Sequence, residues 1–146
     1  MRAVNSQATA EPLHLGTSEI DCGSAYLTVQ VYSWLTVMSI SGEIDATNAD
    51  VLRGHVTALV PDGGSLIIDM VDTDFIGVDG LRTLFTVNLQ CLRNDTKWAV
   101  IASRAVHRLL RIGDRERLVP AVRSATEALH CVRRPKRGRG NLQLVT

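Results

Sequence analysis

The sequence predicts an α/β domain on a mixed, mostly parallel sheet of four to five strands, with helices mainly on one side. Three observations carry this prediction. Segments of period two and period 3.6 alternate along the chain in the order β-β-α-β-α-β-α-β-α. The run Ser65-Leu66-Ile67-Ile68-Asp69-Met70 is apolar on both faces, as a strand covered by helices requires. The 146 residues, 45% hydrophobic and 21% charged, suffice for one core but not for two domains.

Residues 1–25 are rich in Ser, Thr, Ala and Gly and carry no sustained period, so they read as a flexible N-terminal arm, with the ordered domain starting near Tyr26. From Leu27 to Ile40 apolar residues alternate on either side of Tyr32-Ser33-Trp34, which predicts a hairpin or two consecutive strands. Ser41-Gly42-Glu43-Ile44-Asp45 interrupts them. Ala49, Leu52, Val56 and Leu59 then share one helical face, with Asp45 as the expected N-cap. Pro61-Asp62-Gly63-Gly64 ends this helix ahead of the central strand. A second amphipathic helix, from about Asp79 to before Asn94, is traced by Leu81, Leu84, Phe85, Asn88, Leu89 and Leu92. Trp98 to Ala102 is a buried strand, and Val106, Leu109 and Leu110 mark a short helix ended by Gly113. Leu118-Val119 reads as a brief edge strand stopped by Pro120. Ser124-Ala125-Thr126-Glu127 is a capping box that opens a last helix through Val132, and residues 133–146 read as a basic flexible tail.

Charge is unevenly distributed. Arg133 to Arg139 holds five of the sixteen basic residues, so eleven face all fifteen acids and the remainder stands at about −4. With no aromatic residue among them, the tail's charges suit a solubilising role better than nucleic-acid binding. No apolar run reaches the length of a membrane span, and the first twenty residues lack the apolar stretch of a secretory signal, so a cytoplasmic location is expected. Cys22, Cys91 and Cys131 form no C-x-x-C pair and read as reduced thiols. There is no phosphate-loop motif, no dinucleotide fingerprint and no G-x-S-x-G elbow, and the four histidines are scattered. Neither a cofactor nor a metal is implied, and catalysis is not expected. Asp69, Asp72, Asp74 and Asp79 are the densest acidic group, and they read as a loop of solvated carboxylates with one helix cap.

Ile68-Asp69-Met70-Val71-Asp72-Thr73-Asp74-Phe75-Ile76-Gly77-Val78-Asp79-Gly80-Leu81 reads as a strand, a short loop with Phe75 and Ile76 turned inward, and a glycine-containing start to a helix. It resembles the L-D-L-x-x-V-x-F-I-D-S-S-G-L signature of the STAS domain, the fold of anti-sigma factor antagonists and of the cytoplasmic parts of sulfate transporters. Ser41-Gly42-Glu43-Ile44-Asp45 is similar to the family's S-G-E-L-D turn, and Val106, Leu109, Leu110 and Ile112 resemble its third helix. The resemblance covers about Leu27 to Val132, which sets the expected STAS domain at residues 26–132.

The resemblance implies an anti-sigma factor antagonist of the non-catalytic type, whose partner is an anti-sigma factor kinase that phosphorylates the second Ser of S-S-G. Here that phospho-acceptor-equivalent position is Asp79, so the usual phosphorylation switch is lost or altered. A carboxylate at a helix start is a partial phosphomimetic: it has the sign of phosphoserine with less charge and fewer oxygens. The other reading of Asp79 is an ordinary first-turn acid on a domain that has lost switching. The partner surface carried over from the family comprises Gly42, Glu43, Asp45, Thr73, Asp74, Val78, Asp79, Gly80 and Arg82, with Leu81 pointing to the core. A homodimer is compatible with this reading. The alternative is a non-catalytic STAS scaffold or ligand-binding module in a transport or stress-signalling complex.

Overall fold

The computed structural model describes residues 11–133; the first ten residues of the expected arm and nearly all of the expected tail lie outside them. Among the described residues there are seven strands and four helices: β1 (His14–Cys22), β2 (Ala25–Tyr32), β3 (Leu35–Ile44), α1 (Ala49–Ala58), β4 (Ser65–Met70), β5 (Thr73–Ile76), α2 (Val78–Asn94), β6 (Lys97–Ala102), α3 (Arg104–Gly113), β7 (Ala121–Val122) and α4 (Ala125–Val132). They build one mixed sheet in the order β1-β2-β3-β4-β6-β7, with β5 paired to the far end of β3. β1, β2 and β3 are antiparallel neighbours; the other pairings, β3 with β4 and β5, β4 with β6, and β6 with β7, are parallel.

The two-residue period of the strands divides the core. Leu27, Val29, Met38, Ile40, Leu66, Ile68, Met70 and Val100 face α1, α2 and α3, whereas Leu35, Ile67, Ala99 and Ile101 face Ala128 and Val132 of α4. Each step from β3 to β4 to β6 to β7 moves the same way across the sheet. Same-handed crossovers therefore place the three connecting helices on one face, and only α4 returns to the other. The buried Ser65 hydroxyl donates to the Val132 carbonyl oxygen at 2.6 Å, which fixes the end of α4 to the central strand. The capping box forms, with the Ser124 hydroxyl accepting from the Glu127 amide at 3.1 Å; the Glu127 carboxylate reaches back to the Arg123 amide rather than to that of Ser124.

Four expectations require correction. The sheet has seven strands rather than four or five, because β1 and β5 add to it. β1 lies within residues expected to be an arm; it is an edge strand with most side chains exposed, so backbone pairing defines it and apolar alternation does not. The closing residues are Gly23-Ser24, with Gly23 at φ +75°, a dipeptide that signals a tight hairpin. The last strand is Ala121–Val122, after Pro120 and not before it: the Pro120 carbonyl accepts from the Val100 amide at 2.9 Å and leads the chain into parallel pairing with β6. On α2 the buried stripe is Leu81, Leu84, Val87 and Cys91, whereas Leu89 and Leu92 are exposed.

All three thiols are free. Cys22 and Cys91 are buried and Cys131 is exposed, and burial pushes the Cys91 thiol up to about 12, so it stays protonated.

Candidate functional site

The site grows from the last residues of β3. Up to Ser39 this strand pairs with β4, and from Gly42 onward it pairs with β5. Gly42 makes the change of partner in a left-handed conformation, φ +94°, with its amide donating to the Asp72 carbonyl at 3.0 Å. A Cβ at this position would collide with the backbone carbonyl oxygen of Ser24, which accepts the Glu43 amide at 3.0 Å. Glycine is therefore required where the turn crosses the β1–β2 hairpin.

Register shifts by one residue between Gly42 and Glu43, so that Gly42 opposes Thr73 and Glu43 opposes Phe75. Two residues of β5 thus match one step of β3, and Asp74 and Phe75 both point outward while Thr73 and Ile76 are buried. The expectation that Phe75 turns inward is corrected by this bulge: its ring is 51% exposed. The Gly77 amide donates to the Ile44 carbonyl at 2.9 Å, which brings the start of α2 against the end of β3. Gly80 lets that first turn settle directly on the core; a Cβ there would stand 2.5 Å from Ile76 Cγ1 and 3.0 Å from Ile44 Cγ2.

These contacts gather the expected partner residues at one end of the sheet. Glu43, Asp74, Val78 and Arg82 are exposed, and Gly42, Asp45 and Asp79 are half-buried. Thr73 and Gly80 lie beneath the surface and shape it; the Thr73 hydroxyl donates to the Ile40 carbonyl at 2.8 Å. Thr83 is buried as well, so neither threonine beside Asp79 offers its hydroxyl to an enzyme. Leu81 points into the core as expected. Arg82 Nη1 stands 4.0 Å from Asp79 Oδ1, a loose pair on an open helix face. The side chains these segments expose or half-bury thus include two apolar ones, Phe75 and Val78, and five carboxylates, Glu43, Asp45, Asp72, Asp74 and Asp79.

Asp45 is not the N-cap of α1, which is Asn48. The Asp45 carboxylate instead accepts from the amide and hydroxyl of Thr47, closing its own turn. These bonds, the hydroxyl first, hold its pKa below the ordinary 3.8. Buried Asn48 turns its side chain backward, accepting from the Asp45 amide at 3.0 Å and donating to the Glu43 carbonyl at 2.8 Å, so it clamps the Glu43–Asp45 turn. Sequence reading missed this residue; an Asn three positions after an Asp, just before a helical period, is its signal. Because the Asp45 carboxyl is more acidic folded than unfolded, its contribution is present above pH 3.8 and disappears as pH falls through the lowered value. Urea midpoints from pH 5 to 2.5 should therefore fall more steeply for wild type than for Asp45→Asn, and equal slopes would contradict this role.

Among the described residues no group of three or more His, Cys, Asp or Glu is placed to hold a metal ion, and no helix is long and apolar enough to cross a membrane. Nothing in the face resembles a nucleophile held beside a base.

Comparison with known proteins supports the fold. Osmosensory protein A of Mycobacterium tuberculosis is 29% identical over 119 residues, 79% of this chain and 75% of that protein. The crystal structure of an anti-sigma factor antagonist from Mycobacterium paratuberculosis superposes with a TM-score of 0.65 at 26% identity, over 76% of this chain and 96% of that one. A Thermotoga maritima structure superposes with a TM-score of 0.63 at 16% identity, over 73% of this chain and 93% of that one, a likeness of fold alone. The STAS domain profile matches residues 26–128, from β2 into α4 and across the whole candidate face, and the chain belongs to the STAS domain family.

Proposed function

We propose that this protein is an anti-sigma factor antagonist that binds an anti-sigma factor kinase through the face built from the Gly42–Asp45 turn, β5 and the first turn of α2. The observation that carries the reading is the position of Asp79. It stands half-buried at the start of α2, next along the chain to exposed Val78, where the family signature has the phosphorylated serine. A single carboxylate, loosely paired with Arg82, carries less charge than the −1.5 to −2 of a phosphoserine and cannot be added or removed. The protein therefore binds without being switched off at this position. The acidic rim selects a partner surface bearing Lys or Arg around an apolar patch.

Incubation with a cognate anti-sigma kinase and ATP, followed by mass spectrometry of the intact chain, tests this. Wild type should gain no phosphate on the face, and Asp79→Ser should gain one, at residue 79. Stoichiometric phosphate on the wild-type face would overturn the fixed switch.

The name of the Mycobacterium tuberculosis relative favours a second reading, a non-catalytic scaffold in a stress-signalling complex. The same face would then serve a partner other than a kinase, and neither wild type nor Asp79→Ser would bind or accept phosphate from any anti-sigma kinase of the cell.

A further inference from the structure

The most basic part of the described chain adjoins the most acidic. Between residues 104 and 123 six arginines stand against two acids, Asp114 and Glu116. Asp114 is buried, and its carboxylate is occupied by the Leu118 and Val119 amides, both at 2.9 Å. All six arginines are exposed, and among the described residues none of them forms an ion pair with a carboxylate. Arg104, Arg108 and Arg111 recur at helical spacing along the outer side of α3, and exposed Ile112 and Leu118 lie among the arginines along the chain. In isolation this arrangement is unfavourable, because like charges at helical spacing repel and an arginine at a helix start opposes the dipole. The first turns of α1, α2 and α4 each carry an acid, while that of α3 carries none and begins with Arg104. Carboxylates brought from outside the chain relieve both effects.

The chain itself carries the complement. Residues 42–45 and 71–79 hold five acids, no Lys and no Arg, together with exposed Val71, Phe75 and Val78. α3 lies along this acidic stretch. At its start the Ser103 hydroxyl donates to the Thr73 carbonyl of β5 at 2.7 Å, and at its end a Cβ on Gly113 would collide with the Leu81 side chain in the first turn of α2. Two adjoining patches of opposite charge are satisfied together by a two-fold pairing, in which the acids of each copy meet the arginines of the other. Such a pairing gives two equal contacts about one axis and closes as a dimer, whereas patches on opposite ends of the molecule would build a filament. Guanidinium and carboxylate groups match as bidentate pairs, and the aliphatic side chains on both patches add apolar burial. A formal net charge of +1 leaves little overall repulsion between copies.

We propose that a second copy of this chain occupies the face, as a two-fold dimer in which residues 43–45 and 72–79 of each protomer pack against residues 104–118 of the other. The proposal does not rest on the kinase reading; it adds that dimerisation withholds the same surface from any other partner. Analytical ultracentrifugation of the full chain, over concentrations up to the millimolar range, tests it. The mass should approach twice 15.9 kDa at low salt and fall towards one chain as salt is raised. Asp72→Lys with Asp74→Lys, and separately Arg108→Glu with Arg111→Glu, should each raise the dissociation constant by at least about tenfold, since both contacts then set like charges together. An equimolar mixture of the two double variants has opposite charges at both contacts again and should dimerise about as well as wild type. Amide shifts on dilution of wild type, which require no variant, should fall on residues 43–45, 72–79 and 104–118. A monomer at every concentration, a dimer indifferent to both charge reversals, no recovery on mixing variants that unfold like wild type, or dilution shifts confined to the β1 edge would each overturn the proposal.

Discussion

Gly42→Ala is expected to destabilise the protein by about 3 kcal/mol, which for a chain of this size lowers the thermal midpoint by roughly 6 to 12 °C. Two costs combine. An L-residue at φ +94° sits in the left-handed region at about 1 to 2 kcal/mol, and the added Cβ meets the Ser24 carbonyl oxygen, a backbone atom that cannot rotate aside. Relief requires the β1–β2 hairpin to move from the β3 turn, which breaks the bond from the Glu43 amide to Ser24. Gly16→Ala is the matched control: it is also a strand glycine, but at an ordinary φ and with nothing within 4 Å of the new atom, and it should change stability by less than about 0.5 kcal/mol. Urea unfolding of both variants checks the pair, and a Gly42→Ala midpoint close to wild type would show that the turn is free to relax. Because this turn carries Glu43 and Asp45, the substitution should weaken partner binding along with stability.

The second large effect concerns the apolar centre of the face. Phe75 and Val78 are 51% and 64% exposed, the first turned outward by the bulge in β5 and the second at the opening of α2. Aromatic side chains at the centre of an interface commonly carry about 2 kcal/mol or more of binding energy, whereas rim charges mainly tune encounter rate and selectivity. The double substitution Phe75→Ala with Val78→Ala should therefore weaken binding to an anti-sigma kinase by roughly 30-fold or more, with little change in the unfolding midpoint, since neither side chain fills the core. Removing a rim charge, as in Glu43→Gln, should instead act chiefly through the association rate and fade as salt is raised. Stopped-flow binding at two salt concentrations separates the two behaviours.

The parts of this fold legible in the sequence are those where burial imposes a period. The alternation through Leu27, Val29, Met38 and Ile40, the doubly apolar run from Leu66 to Ile68 and the capping box at Ser124 each match an element within a few residues. The parts missed are those that backbone geometry decides. β1 has no alternation because an edge strand faces solvent on most sides, and its evidence is one Gly-Ser turn. β5 is four residues long, and its bulge breaks the two-residue period that would have revealed its exposed face, so Phe75 reads as core. On α2 the choice between Val87 and Leu89 for the buried stripe turns on about one residue of helical phase, which Leu, Phe and Val content alone does not decide. The candidate site was legible mainly through the two motifs around Gly42 and Asp79. Asn48, which holds the first of them in place, is a polar residue whose value lies in being buried.

The most direct test of the account is calorimetric titration of the purified chain against the anti-sigma kinases of its own cell, with wild type, Asp79→Ser and the Phe75→Ala, Val78→Ala double variant side by side. The account predicts saturable binding by wild type and by Asp79→Ser, with loss of most of the affinity in the double variant. Binding by Asp79→Ser but not by wild type would contradict it, because Asp79 would then hold the face in the state that phosphate normally imposes.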